Sequence, residues 1–243
     1  MLLCLTAGAW VQSAIGFGYA IVALPAMLWT GVSLPAAVAA TLASVVVQCG
    51  TGAYRFRAEV WWGDVLPMAV FRIAAMPVGV ALLAMLDEND PAWARGAVGA
   101  VVLLAVALNA GFRPKPRAAL PRVWTPVTGV SSGLLAGSLG IGGPPVVIWA
   151  SAHDWPTRRT RAFLWLTFLL LTPPQLAWML LRFGHSLLIP IAVGLATTPL
   201  VIFAGRLGSN AGDRLSRQQL RRVGYAGLTV IGLISLASPL LAR

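Results

Sequence analysis

The chain has 243 residues, 58% of them hydrophobic and 10% charged, with a mean hydropathy of +0.80. That is more apolar surface than a soluble domain of this length can bury, so the sequence is that of an integral membrane protein. The formal charge of +11 does not make it a nucleic-acid binder, because the basic residues lie in short loops between apolar segments, where membrane topology accounts for them.

Apolar segments follow one another at residues 2–30, 33–53, 64–86, 92–111, 124–151, 162–181, 186–204 and 223–241, a succession that favours helices over barrel strands. The opening MLLCLTAGAWVQS has no basic n-region and reads as part of the first membrane element rather than as a secretory signal. Cys4 and Cys49 both lie in apolar stretches without metal-like spacing, so neither a disulfide nor a zinc site is expected. The first and fifth elements are long and broken, one at Ile15-Gly16-Phe17-Gly18 and the other from Gly140 to Pro145 within SLGIGGPPVVIW. Glycine loosens the backbone there, and proline removes a donor and crowds the preceding turn. The other six elements read as ordinary spans, with kinks expected at Pro67, Pro77, Pro173, Pro174, Pro190 and Pro199.

The two breaks superpose when the sequence is shifted along itself by 126 residues, which lays Ile15-Gly16 on Ile141-Gly142. A shift of 127 lays Gln48 on Gln175 and Arg55-Phe56 on Arg182-Phe183, and a shift of 123 lays LPMAV (66–70) on IPIAV (189–193). Coincidences in the same order predict a duplicated half, residues 1–111 and 125–243 joined by the basic loop 112–124, within one transmembrane domain spanning 1–243.

Short cytoplasmic loops collect Lys and Arg. If all eight elements cross, the two sides receive eight and nine basic residues, which is no bias. If the fifth element enters and returns on one side, the division becomes 14 against 3 (Arg95, Arg182 and Arg243), with Arg72 left inside the third element. The repeat argues the same for the first element, where loop charge is silent. The expected fold is therefore all-α and polytopic, with two inverted repeats, each a re-entrant broken helical hairpin plus three transmembrane helices, and both termini outside. Eight crossing segments are the alternative.

Non-helical backbone survives at membrane depth only inside protein or along a polar cavity. Paired broken elements are a common way to build a central transporter site, and half-helix N-termini suit an anion. The segments IGFGYAIVALPAML (15–28) and GLLAGSLGIGGPPVVIW (133–149) resemble the paired signatures of the sulfite exporter TauE/SafE family, also called the 4-toluene sulfonate uptake permeases (TSUP). The family is similar in length, in its internal duplication and in an Arg-rich loop before the last helix, here GRLGSNAGDRLSRQQLRR (205–222). Many members carry three consecutive glycines in the first signature; Gly16-Phe17-Gly18 here resembles a subgroup. The resemblance implies secondary transport of sulfite or organosulfonates such as sulfoacetate across the bacterial inner membrane.

Arg72, amid MAVFRIAAMPVG, is the sharpest candidate for binding substrate, since an intramembrane arginine is costly and usually faces an interior cavity. The competing reading is a structural arginine paired to helix ends or snorkelling to the interface. Gln48 and Gln175 could donate to substrate oxygens from both halves, or bond helix to helix. Gln12 and Ser138 precede the breaks, and Gly16, Phe17, Gly18, Gly140, Gly142, Gly143 and Pro144 shape them. His153 and Asp154 read as solvated interfacial residues, with proton transfer as the alternative. The expected partners are a small anionic substrate and the lipid bilayer, with a coupling proton or ion and a homodimer left open; no cofactor or metal is expected.

Two other functions compete. A membrane-embedded enzyme would have to draw on seven acidic residues, all in loops or at helix ends, and two distant histidines. A passive anion channel would use the same arginines and hairpins without alternating access.

Overall fold

The computed structural model describes residues 1–15, 18–88, 91–111, 116–214, 229–230 and 232–237. Regular structure there is helical: α1 (Leu2–Ile15), α2 (Tyr19–Trp29), α3 (Leu34–Arg55), α4 (Trp62–Asp87), α5 (Pro91–Gly111), α6 (Trp124–Leu139), α7 (Gly143–Ser151), α8 (Thr157–Phe183), α9 (Leu188–Ala196) and α10 (Thr198–Arg214). Three stretches among the described residues are long and apolar enough to cross a membrane: Leu34–Arg55, Trp62–Asp87 and Thr157–Ala196. The bundle is apolar outside as well as inside. Leu66, Val70, Val78 and Met85 of α4 are exposed, while Arg72 of the same helix, Gln48 of α3 and Gln175 of α8 are buried. A polar interior under an apolar coat is the arrangement that lipid selects.

The first and fifth segments each divide into two helices. The turns carry Gly18 at φ 105° and Gly140 at φ 67°, a left-handed backbone that L side chains rarely adopt. Pro144 and Pro145 do not themselves break a helix; they open α7, where a missing N–H costs nothing. Gly142 is pressed against α6, where an added Cβ would stand 2.7 Å from the Ser132 carbonyl oxygen. Gly16 and Phe17 lie outside the described residues.

Pro67 and Pro77 lie inside α4, and Pro173 and Pro174 inside α8, each an uninterrupted helix. Two expectations change. The seventh segment does not end at residue 204: a single turn residue, Thr197, separates α9 from α10, which runs on to Arg214. Pro199 has no N–H to close the helical bond there, and Thr197 binds back through its own N–H and hydroxyl to Val193 and Gly194. The first ten residues of the expected Arg-rich loop, 205–214, are therefore helical. The eighth segment lies largely outside the described residues; 229–230 and 232–237 within it are helical.

Small residues set the closest contacts. Gly129, Gly133 and Gly137 form a stripe on α6 that meets Phe71, Arg72 and Gly79 of α4 in the same order, so the two helices run in one direction. On the other side α1 packs on α10, where Gly208 faces the Trp10 carbonyl and Gly205 faces Ser13. α3 packs on both α8 and α9, the latter through Gly194 against the Ala40 carbonyl.

The two ends of the α6–α7 pair lie together. The Arg117 N–H, in the loop entering α6, donates to Ala152 O at 3.0 Å, and the Asp154 N–H, just past α7, donates to Arg117 O at 2.9 Å. Ion pairs tie further loops: Arg158 to Glu59 (3.1 Å), Arg159 to Asp64 (2.7 Å) and Arg182 to Glu88 (3.3 Å).

Candidate functional site

A cavity of ≈ 90 Å³ lies where the two helix breaks meet, room for a few waters or one small oxyanion. Gly18 borders it from the first break, and Gly140, Gly142, Gly143 and Pro144 border it from the second. Gln12, Gln175, Phe168, Thr172, Cys49 and Arg72 complete the chemically distinctive part of its wall.

Arg72 is fully buried. Its position follows from the glycine stripe: Gly133 has no Cβ, and the Arg72 carbonyl occupies the space one would fill, so α4 is held at contact distance from α6. The guanidinium is then fixed from α8. Nη1 donates to the Thr167 carbonyl at 3.0 Å, and the Phe168 ring centroid is 5.1 Å from Cζ. Nε and Nη2 are buried without an acceptor, and among the described residues Arg72 has no ion-pair partner. A buried charge with idle donors is costly unless something supplies the counter-charge. A planar guanidinium with two donors to spare matches an oxyanion.

The paired glutamines make matching bonds. Gln48 Nε2 donates to Ala9 O at 3.2 Å and to Ser13 Oγ at 2.6 Å, and Gln175 Nε2 donates to Ala136 O. Ala9 and Ala136 are separated by the same 127 residues as the glutamines, so each half ties the helix before its break to the following long helix in the same way. The amide donors are thus engaged by backbone; Gln175 still borders the cavity, whereas Gln48 is outside its wall and leaves Oε1 buried without a partner. Gln175→Leu is expected to cost about 0.6–1.7 kcal/mol, the range for interhelical bonds in membrane bundles, read as a small loss in thermal stability of the purified protein.

Gln12 borders the cavity with Oε1 buried and unpartnered. Ser138 does not border it and donates to Leu134 O at 2.7 Å. His153 sits at the far end of α7, where its Nδ1 meets Trp149 O at 2.9 Å. Sequence reasoning did not single out Phe168, Thr172 or Cys49. Nothing in the run LTFLLLT distinguishes a cavity-facing aromatic from a lipid-facing one, and only the docking of α8 on α4 separates them.

An apolar coat, two broken helix pairs and a buried cation with idle donors between them define a polytopic helical membrane protein with a central cavity suited to an anion. The chain matches the family Sulfite exporter TauE/SafE over residues 1–234 and belongs to it; it is a membrane transporter and not an enzyme. It is similar to a protein of Cupriavidus necator named "Probable sulfite/organosulfonate exporter TauE", at 26% identity over 230 residues, covering 94% of this chain and 89% of that protein. No solved structure matches the chain.

Proposed function

We propose that the protein is a secondary transporter that carries small sulfur-containing oxyanions, sulfite or organosulfonates such as sulfoacetate, across the bacterial inner membrane. The anion is held between the two helix breaks. One observation supports this above the others: Arg72, fully buried, offers Nε and Nη2 without acceptors at a cavity bordered by both breaks. The name of the Cupriavidus necator relative fits that chemistry.

The proposed membrane arrangement is two inverted repeats, each with a re-entrant broken pair. The ion pairs favour it, because eight alternating crossings would put Glu59 and Asp64 on the opposite face from Arg158 and Arg159, and Glu88 opposite Arg182. With α6–α7 re-entrant, each pair joins loops on one face, and the backbone bonds between Arg117 and residues 152 and 154 fit the same arrangement. The exchange of helix pairings supports the duplication. α1 packs on α10 and α6 on α4, each broken pair leaning on a long helix of the other half.

Single cysteines introduced at Glu59 and Arg158, in a background lacking Cys4 and Cys49, are expected to react with an impermeant thiol reagent from the same side of the membrane, and one at Glu88 from the other. Labelling of residues 59 and 158 from opposite sides would remove the re-entrant arrangement. Transport itself is tested in proteoliposomes. Saturable sulfite flux with counterflow is expected of a carrier, and unsaturable currents of channel size would overturn it.

A further inference from the structure

α7 borders two spaces. Its first residues line the central cavity, and Trp149, further along, lines a second pocket of ≈ 210 Å³ at the face where the ends of α6–α7 meet. Arg122 enters this pocket from the loop before α6, Trp155 from the approach to α8 and Arg159 from the first turn of α8. Asp64 lines it from the start of α4.

Two donors here have no acceptor. Trp149 is only 6% exposed, its ring held by His153 (centroids 4.2 Å apart) and Phe163 (5.1 Å), and its indole Nε1 is buried and unpartnered. Arg159 spends Nη2 on Asp64 at 2.7 Å and lays its guanidinium 4.7 Å from the Trp155 ring centroid, yet its Nε is also buried and unpartnered. The Asp64 charge is thus answered by Arg159, and Arg122 is left as surplus positive charge on the pocket wall. The carbonyls at the end of α7, which would repel an anion, are engaged by the Arg117 N–H and the His153 ring. Idle buried donors beside a net positive charge call for an oxygen-rich anion.

We propose that this pocket is a second anion site, in which one oxyanion accepts hydrogen bonds from Trp149 Nε1 and Arg159 Nε while Arg122 supplies the outer charge. It is separate from the cavity at Arg72 and does not depend on what that cavity carries. A free sulfite or sulfonate and the phosphate of an anionic lipid headgroup share the required chemistry.

The test uses full-length protein carrying Arg72→Met, so that the central cavity is removed from the measurement, in nanodiscs of phosphatidylcholine alone or with phosphatidylglycerol. Radiolabelled sulfite is expected to bind saturably, and Trp149→Phe, which keeps an aromatic ring in the stack but removes the indole N–H together with the rest of its five-membered ring, is expected to weaken binding roughly tenfold or more. Arg122→Gln, an exposed position that leaves the packed interior untouched, should weaken it as well. Sulfite binding in both kinds of disc identifies a free anion as the occupant. Displacement of sulfite by phosphatidylglycerol, with less of that lipid retained by Trp149→Phe, identifies a headgroup. Sulfite binding and lipid retention that neither Trp149→Phe nor Arg122→Gln changes would overturn the site, in Arg72→Met and in the unsubstituted protein alike.

Discussion

Arg72→Met abolishes sulfite counterflow in proteoliposomes while the protein still inserts and purifies as a folded bundle; this is the largest functional effect expected. Losing one partner of a buried charge pair costs about 2–5 kcal/mol, a factor of roughly 30 to several thousand in affinity. The fold tolerates the change because an apolar side chain of similar volume in place of a buried charge is often neutral or stabilising. It removes one bond to the Thr167 carbonyl and the contact with the Phe168 ring. Arg72→Lys separates charge from geometry. A lysine keeps the positive charge but not the planar fork, so it should retain weak transport with a raised KM. Unchanged affinity in Arg72→Met would remove this residue from the anion site.

Gly133→Ala carries the largest structural effect. Its Cβ would collide with the Arg72 carbonyl, which is backbone and cannot swing aside as a side chain could. Overpacking of this kind typically costs about 1–3 kcal/mol, so a clear fall in thermal stability is expected. Transport should fall further than stability does, because moving α4 away from α6 also moves the guanidinium relative to both breaks. Gly50→Ala is the control: nothing lies within 4 Å of the added methyl in α3, and stability should be unchanged or slightly raised. Equal damage from the two substitutions would mean that helix propensity, rather than the contact at Arg72, explains Gly133.

Much of this was legible without coordinates. Hydropathy alone identifies the membrane class, and glycine and proline mark both breaks, because no other residues tolerate a left-handed turn or open a half-helix so cheaply. Arg72 stood out because a charge in the middle of an apolar span needs a reason. The bonds from Gln48 to Ala9 and from Gln175 to Ala136 have the same 127-residue spacing as the two glutamines, which is the pattern the proposed duplication predicts. The sequence places the seventh element across Pro199 but ends it at residue 204, whereas α10 runs on to Arg214, because glycines and arginines at 205–214 look like a loop in a hydropathy profile.

The sequence by itself determined the solvent this protein folds in, the location of the breaks and the placement of Arg72 amid an apolar span, all of which are local properties of composition and backbone chemistry. Only the tertiary structure decided which polar groups are spent and which are free. The glutamine amides are taken up by helix carbonyls, while Arg72 keeps two donors and Trp149 and Arg159 keep one each. That division depends on which helix lies against which, and it is set by small residues such as Gly133 and Gly208 whose importance lies in the backbone they admit.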